Sequence, residues 1–210
     1  MSYETAKDFW RKRKQYPNYP NTKLRRLIDT NFVLNNIDVN SLDSILDIGC
    51  ADGYLLIAIR EFTDATKFYG YDISENLLND LELRWGSIKN LETKVCDFTK
   101  DIDYPEVNLT LSMGLFPYIF EHDDLCNILL NVKSNVLIVR APCTMKEQDE
   151  YINKYSNDLS SEYSSVYRIT QNYIDILKLF YTNVHIERSY ADGIESKYST
   201  KHFFFVCGGR

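Results

Sequence analysis

A chain of 210 residues, 44% hydrophobic and 26% charged, is long enough to bury one sizeable core, and none of its apolar runs approaches the length that a bilayer requires. The net charge of −6 hides a basic opening: residues 1–26 hold eight Lys and Arg against two acids, a balance of +6 that leaves −12 for the remainder. So acidic a body repels polyanions, which argues against a general nucleic-acid binder. Five scattered cysteines without a CxxC pair, and an N-terminus with no apolar centre, exclude a disulfide framework and a signal peptide and point to a reducing cytoplasm.

In chain order, Leu24, Leu27, Ile28 and Phe32 share one face of an early helix. "SILDIG" (44–49) reads as a first buried strand, and from Gly53 "YLLIAIREF" reads as a helix. "KFYGYD" (67–72) is a second strand, and Ser74 caps the helix of Leu77, Leu78 and Leu81. "ETKVCD" (92–97) and "VNLTLSMG" (107–114) are the third and fourth strands. Asp123 and Asp124 open a helix carrying Leu125, Ile128, Leu129 and Val132, their charge matching its positive end. "SNVLIVRAP" (134–142) is a fifth strand. From Thr144 to Ser165 the chain is polar and Tyr-rich, with no convincing strand. Thr170 caps a helix through Ile174, Leu177 and Leu179. "VHIERSY" (184–190) and "HFFFVCG" (202–208) close the domain as an antiparallel pair.

Five alternations of apolar strand and helix are the pattern of a mostly parallel sheet covered on both faces. Ligands of such sheets lie beyond the carboxyl ends of the strands. Those ends carry Asp47, then Gly49, Ala51 and Gly53 after strand one, Asp72 after strand two, and Asp97 after strand three. Like charges near one cleft repel, and no Lys or Arg adjoins any of the three in sequence. A ligand rich in hydrogen-bond donors would answer them. A dinucleotide is excluded, since G-x-A-x-G is not G-x-G-x-x-G and Asp52 would confront its phosphates.

"LDIGCADG", the acid of "YGYDIS" 23 residues after Gly49, and "VCDF" together resemble a class I S-adenosylmethionine-dependent methyltransferase of the small-molecule type. The resemblance covers residues 44–140 in motif detail, with Ala51 where a middle glycine is frequent. It implies an α/β Rossmann-like fold of seven mostly parallel strands with an antiparallel closing hairpin and helices on both faces. It divides the chain into an N-terminal helical lid segment (1–40) and a methyltransferase domain (41–210) carrying a lid insertion at 144–169.

The resemblance further implies that Asp47 helps hold the methionine ammonium of S-adenosylmethionine. Gly49, Cys50 and Gly53 would let that cofactor approach the backbone. Asp72 and its neighbour Ile73 would meet the ribose hydroxyls, and Asp97 and the Phe98 N–H the adenine. Ser112 and Met113 would line the sulfonium end. In "MGLFPYIFEHDDL" (113–125), where the family places substrate contacts, Tyr118 and His122 are the catalytic candidates.

Methyl transfer from a sulfonium needs mainly alignment and exclusion of water, with a general base for a hydroxyl nucleophile. No metal is expected. The opening segment mixes Trp10, Lys14, Tyr16 and Tyr19 among basic residues, and its two Tyr-Pro turns break any continuous helix. With Arg140, it is expected to bind the acceptor. The acceptor is read as a small anionic or sugar-like molecule, such as a nucleotide sugar or phosphorylated carbohydrate of surface-polysaccharide biosynthesis. RNA or protein methylation is the enzyme alternative, and a catalytically inactive cofactor-binding subunit the other. The expected assembly is a cytoplasmic monomer or homodimer.

Overall fold

The computed structural model describes residues 3–17, 21–87, 90–100, 102–156, 161–195 and 199–210. Two helices, α1 (Tyr3–Arg11) and α2 (Thr22–Asn35), precede the sheet. Then β1 (Ser44–Ile48), α3 (Tyr54–Arg60), β2 (Lys67–Asp72), α4 (Glu75–Trp85), β3 (Leu91–Val95), β4 (Leu109–Met113), α5 (His122–Asn131) and β5 (Val136–Thr144) alternate as the periodicity predicts. The strands β6 (Glu150–Ser156) and β7 (Ser161–Tyr167), the helix α6 (Thr170–Lys178), and β8 (Asn183–Arg188) and β9 (Thr200–Gly208) complete the chain.

Seven strands lie in the order β3-β2-β1-β4-β5-β9-β8. The first five run parallel, and β9 enters between β5 and β8 antiparallel to both. The strand order switches direction between β1 and β4, where the outgoing loops separate and leave a crevice. β1 is buried along its whole length because apolar clusters cover both sheet faces. One cluster joins Phe32, Val33, Leu55, Leu81 and Trp85, and the other joins Leu125, Leu129, Tyr173 and Leu177. Ser74 caps α4 by accepting from the Leu77 N–H at 3.4 Å, and Asp123 and Asp124 stand in the first turn of α5. None of the described helices is long and apolar enough to cross a membrane.

The structure corrects the sequence reading in three places. Residues 150–156 and 161–167 form a two-stranded antiparallel sheet, β6 on β7, where no strand was expected. Its pattern is masked because Tyr and Ser take the positions that aliphatic residues usually signal. In α2 the buried stripe is Asp29, Thr30, Phe32 and Val33, while Leu24 and Leu27 are exposed, so the helix is rotated from the apolar face. In α6, Thr170 is the first helical residue rather than the cap, and Leu179 is exposed beyond the helix end.

Candidate active site

The turn after β1 is built from three left-handed residues, Gly49 (φ 76°), Ala51 (φ 51°) and Gly53 (φ 65°). The Gly49 and Cys50 N–H groups both donate to the Tyr71 carbonyl, at 2.8 and 3.1 Å. A Cβ on Gly49 would come within 3.0 Å of Leu115, and Gly49 lines the crevice. Gly53 is required for another reason: its Cβ would collide with Leu81 of α4, so this glycine serves helix packing.

The three strand-end acids are met in three ways. Asp72 accepts the Ala51 N–H at 2.9 Å and the Ser74 N–H at 2.8 Å, one on each oxygen. Burial lifts its carboxyl to about 6 in spite of these bonds. Asp47 has one oxygen with no partner among the described residues, and burial followed by the charge of Asp72 pushes it to about 8. Ser112 on the neighbouring β4 has a buried hydroxyl that is likewise unpartnered. Asp97 faces a cation after all. Lys7 of α1 lies 2.6 Å from one of its oxygens, and Thr99 donates to the other. No sequence neighbour of Asp97 is basic, but the fold returns α1 across the crevice to supply one.

A cavity of about 730 Å³ runs from Asp72, Ile73 and Phe98 past Gly49 and Met113 to a wall of arginines and tyrosines. At the centre of that wall is Asp29, buried on α2. It accepts from the Tyr54 and Tyr190 hydroxyls at 2.7 and 2.8 Å and pairs with the Arg140 guanidinium at 3.2 Å. Arg140 also donates to the Met113 carbonyl, which ties this wall to the end of β4. Arg26 lies between the rings of Tyr16 and Tyr54, at 4.6 and 4.4 Å, and donates to both oxygens of Asp52. Asp52, with Arg84 as a second partner, is thereby neutralised.

Aromatic residues close the remaining side. Trp10 meets Tyr118 edge to face at 5.1 Å, and hydroxyls run from Tyr118 to Tyr163 (3.5 Å) and on to Tyr167 (3.2 Å). The fully buried Arg168 fixes the segment that carries Tyr118 by donating to the Ile119 and Phe120 carbonyls, each at 2.8 Å.

Of the residues singled out in sequence, Gly49, Asp72, Ile73, Phe98, Met113, Tyr118, Trp10, Tyr16 and Arg140 meet at this cavity. Asp47, Cys50, Asp97 and Ser112 lie close to it in the chain without lining it, and Lys14 is exposed elsewhere. His122 does not reach the cavity: its ring is about half exposed, 3.8 Å from Asp149. Tyr19 lies outside the described residues. Sequence reasoning missed Lys7, Arg25, Arg26, Asp29, Tyr54, Tyr190 and His202. A signal did exist for Asp29, an acid spaced three and four residues before Phe32 and Val33 on the buried stripe.

A family model described as a methyltransferase domain matches residues 40–199. No curated protein matches the sequence. Among solved structures, phosphoethanolamine N-methyltransferase 1 of Haemonchus contortus, in complex with phosphoethanolamine and S-adenosylhomocysteine, is similar over all of this chain and 50% of its own, with 16% identity and a TM-score of 0.69. A SAM-dependent methyltransferase of Leishmania major is similar over 97% of this chain and 82% of its own, at 10% identity and a TM-score of 0.68. An S-adenosylmethionine-dependent methyltransferase of Mesorhizobium loti is similar over 89% and 98%, at 15% identity and a TM-score of 0.66. At such identities the likeness is one of fold.

Proposed function

The chain belongs to the methyltransferase-domain family and is an S-adenosylmethionine-dependent methyltransferase, and from that premise we propose that it methylates an oxygen or nitrogen of a small anionic metabolite. One observation carries the proposal: a single cavity joins the strand-end acid Asp72 to a wall lined by three arginines, Arg25, Arg26 and Arg140. The acid end fits the cofactor. Asp47 and Ser112 each offer a buried polar atom that lacks a partner among the described residues, and Asp72 has acceptor capacity beyond its backbone bonds.

In this reading Asp72 and Ile73 hold the ribose, and Phe98 and Asp97 hold the adenine, with Lys7 sharing Asp97. Gly49 leaves the backbone open beside the methionine portion, near Asp47, Ser112 and Met113. Bound S-adenosylmethionine supplies a methyl group already activated by its sulfonium. The protein has then to bring the nucleophile into line and keep water out. Trp10, Tyr118 and Tyr163 exclude water on one side. Tyr118 is the residue of the post-β4 segment that brings a hydroxyl to the cavity, held 3.5 Å from that of Tyr163, and it positions the acceptor.

The acceptor is a molecule with an anionic end and a hydroxyl or amine at the other. Phosphorylated carbohydrates and nucleotide sugars of surface-polysaccharide biosynthesis meet that description. So does a phosphorylated amine, the ligand of the Haemonchus protein. Isothermal titration with S-adenosylhomocysteine tests the cofactor half. Native protein should bind at micromolar affinity, and Asp72→Ala should lose about a hundredfold or more, two charge-assisted bonds at roughly 1.5 kcal/mol each. Absence of binding to native protein would overturn the reading. A panel of phosphorylated sugars and amines, assayed for S-adenosylhomocysteine release, tests the acceptor half.

A further inference from the structure

The three arginines of the acceptor wall differ in what neutralises them. Arg140 faces Asp29, and Arg26 faces Asp52. Arg25 has no carboxylate partner among the described residues. Its Nε and Nη2 both donate to the Ile194 carbonyl, at 3.2 and 2.6 Å, and its guanidinium lies 5.3 Å over the Tyr190 ring. The acids of the same wall are engaged elsewhere: Arg188 and Lys201 hold both Asp192 and Glu195. A guanidinium satisfied only by a carbonyl and a ring face keeps its full charge, and it does so here inside a cavity.

His202 of β9 also lines the cavity and packs, like Arg25, against Tyr190. Its backbone is fixed from both sides, the N–H donating to Glu195 at 3.0 Å and the carbonyl accepting from Ser189 at 2.8 Å. The ring packs 5.2 Å from that of Tyr190 and is more than nine-tenths buried, and its Nδ1 is sealed without a partner. Burial, and then the charges of Arg140 and Arg25, hold it well below the ordinary histidine range, so the ring is neutral. With Nδ1 sealed, Nε2 is the nitrogen through which the neutral ring can meet a ligand, and as an N–H it is a hydrogen-bond donor.

We propose that Arg25 and His202 form an oxyanion subsite that takes the phosphate or carboxylate of the methyl acceptor, Arg25 supplying the charge and His202 an N–H. The inference rests on the reading of the cavity as a methyltransferase site, and it names the group by which the acceptor is recognised. A charged donor and a neutral donor in one cavity favour an anion over a neutral sugar hydroxyl, because only the anion compensates the guanidinium on leaving water.

The test uses full-length protein saturated with S-adenosylhomocysteine and labelled with 15N at histidine. Its three histidines, His122, His185 and His202, give few signals, and His202→Gln identifies the third by its loss. Inorganic phosphate and acetate are titrated separately. The expected result is a saturable shift of the His202 signal, weakened about tenfold or more by Arg25→Gln and less by Arg25→Lys, with S-adenosylhomocysteine affinity unchanged in both variants. Tighter phosphate binding would identify a phosphoester acceptor, and tighter acetate binding a carboxylate. If neither anion moves His202, or if Arg25→Gln binds them as native protein does, the subsite is overturned. Failure of native protein to bind S-adenosylhomocysteine is a different outcome: it removes the cofactor reading, and the anion titrations without it still decide whether the subsite exists.

Discussion

The two ends of the cavity treat buried charge in opposite ways. At the strand-end side, Asp47 has an oxygen without a partner among the described residues, and Asp72 has backbone amides but no cation for its charge. At the acceptor side every buried acid has its cation: Arg140 for Asp29, Arg26 and Arg84 for Asp52, Arg188 and Lys201 for Glu195. The first end is an arrangement whose hydrogen-bonding capacity is left for a donor-rich ligand. The second is closed on itself, so what it can discriminate depends on the few groups that remain over. Under the proposed function, the contrast means that affinity for the cofactor is held in acceptors already aimed, whereas acceptor choice is held in a framework that must stay intact.

Breaking the link between the ends should have the largest effect. Removing residues 1–20 takes away Lys7, which pairs with Asp97, and Trp10 and Tyr16, which line the acceptor side. It also uncovers Tyr163, against which Phe9 packs at 6.3 Å. Steady-state assays with a turned-over acceptor should show no activity in the truncated protein. Unchanged kinetic constants would mean that α1 covers nothing the reaction needs.

Next in size is Asp29→Ala. It leaves the Arg140 guanidinium buried without its carboxylate and two phenols without their acceptor, which should cost about 3–5 kcal/mol. For a chain of this length that corresponds to a fall in Tm of roughly 10 °C. Asp97→Ala, which frees a single lysine at the cavity edge, should cost far less. Equal losses in calorimetry would erase the distinction between the two ends.

That distinction also explains what the sequence made legible. Asp47, Asp72 and Asp97 follow strands whose apolar runs are unmistakable, so the position of each acid follows from its strand. The acceptor wall is assembled from positions 16, 25, 29, 54, 140, 190 and 202, drawn from α2, α3, β5, β9 and the segments beside them. Only the insertion of β9 between β5 and β8 sets His202 opposite Pro142, close to Arg140. No local periodicity encodes that neighbourhood. The β6–β7 hairpin was hidden for a different reason, since its Tyr-rich strands form a sheet of their own and carry no aliphatic alternation.

A smaller effect should appear in the pH dependence of stability. The Asp47 carboxyl lies at about 8 in the folded protein against 3.8 in its unperturbed state. Between these values the folded chain binds the proton more tightly than the unfolded chain. Stability from this group therefore falls as pH rises across that window and is lowest above about 8, by at most roughly 1.4 kcal/mol per pH unit. Asp47→Asn removes the titration. Denaturant midpoints measured at pH 6 and pH 8.5 should converge in the variant and differ in the native chain, while S-adenosylhomocysteine affinity drops. A pH-independent native midpoint would show that Asp47 meets a donor after all.

The smallest effect isolates the turn itself. Ala51 has φ 51°, a left-handed conformation that costs an L-residue about 1–2 kcal/mol. Glycine relieves that strain but loses about 0.4–1 kcal/mol through the greater freedom of its unfolded chain. Ala51→Gly should therefore raise stability by no more than about 1.6 kcal/mol, a Tm gain of at most roughly 6 °C. The backbone N–H that Asp72 accepts is unchanged by the substitution. Cofactor affinity should then stay within about twofold, because what aims Asp72 is the amide and not the methyl group. A larger loss of S-adenosylhomocysteine affinity would show that the Ala51 methyl, which lines the cavity, packs directly on the ligand. The strand-end side would then owe part of its selectivity to shape as well as to its unmatched carboxylates.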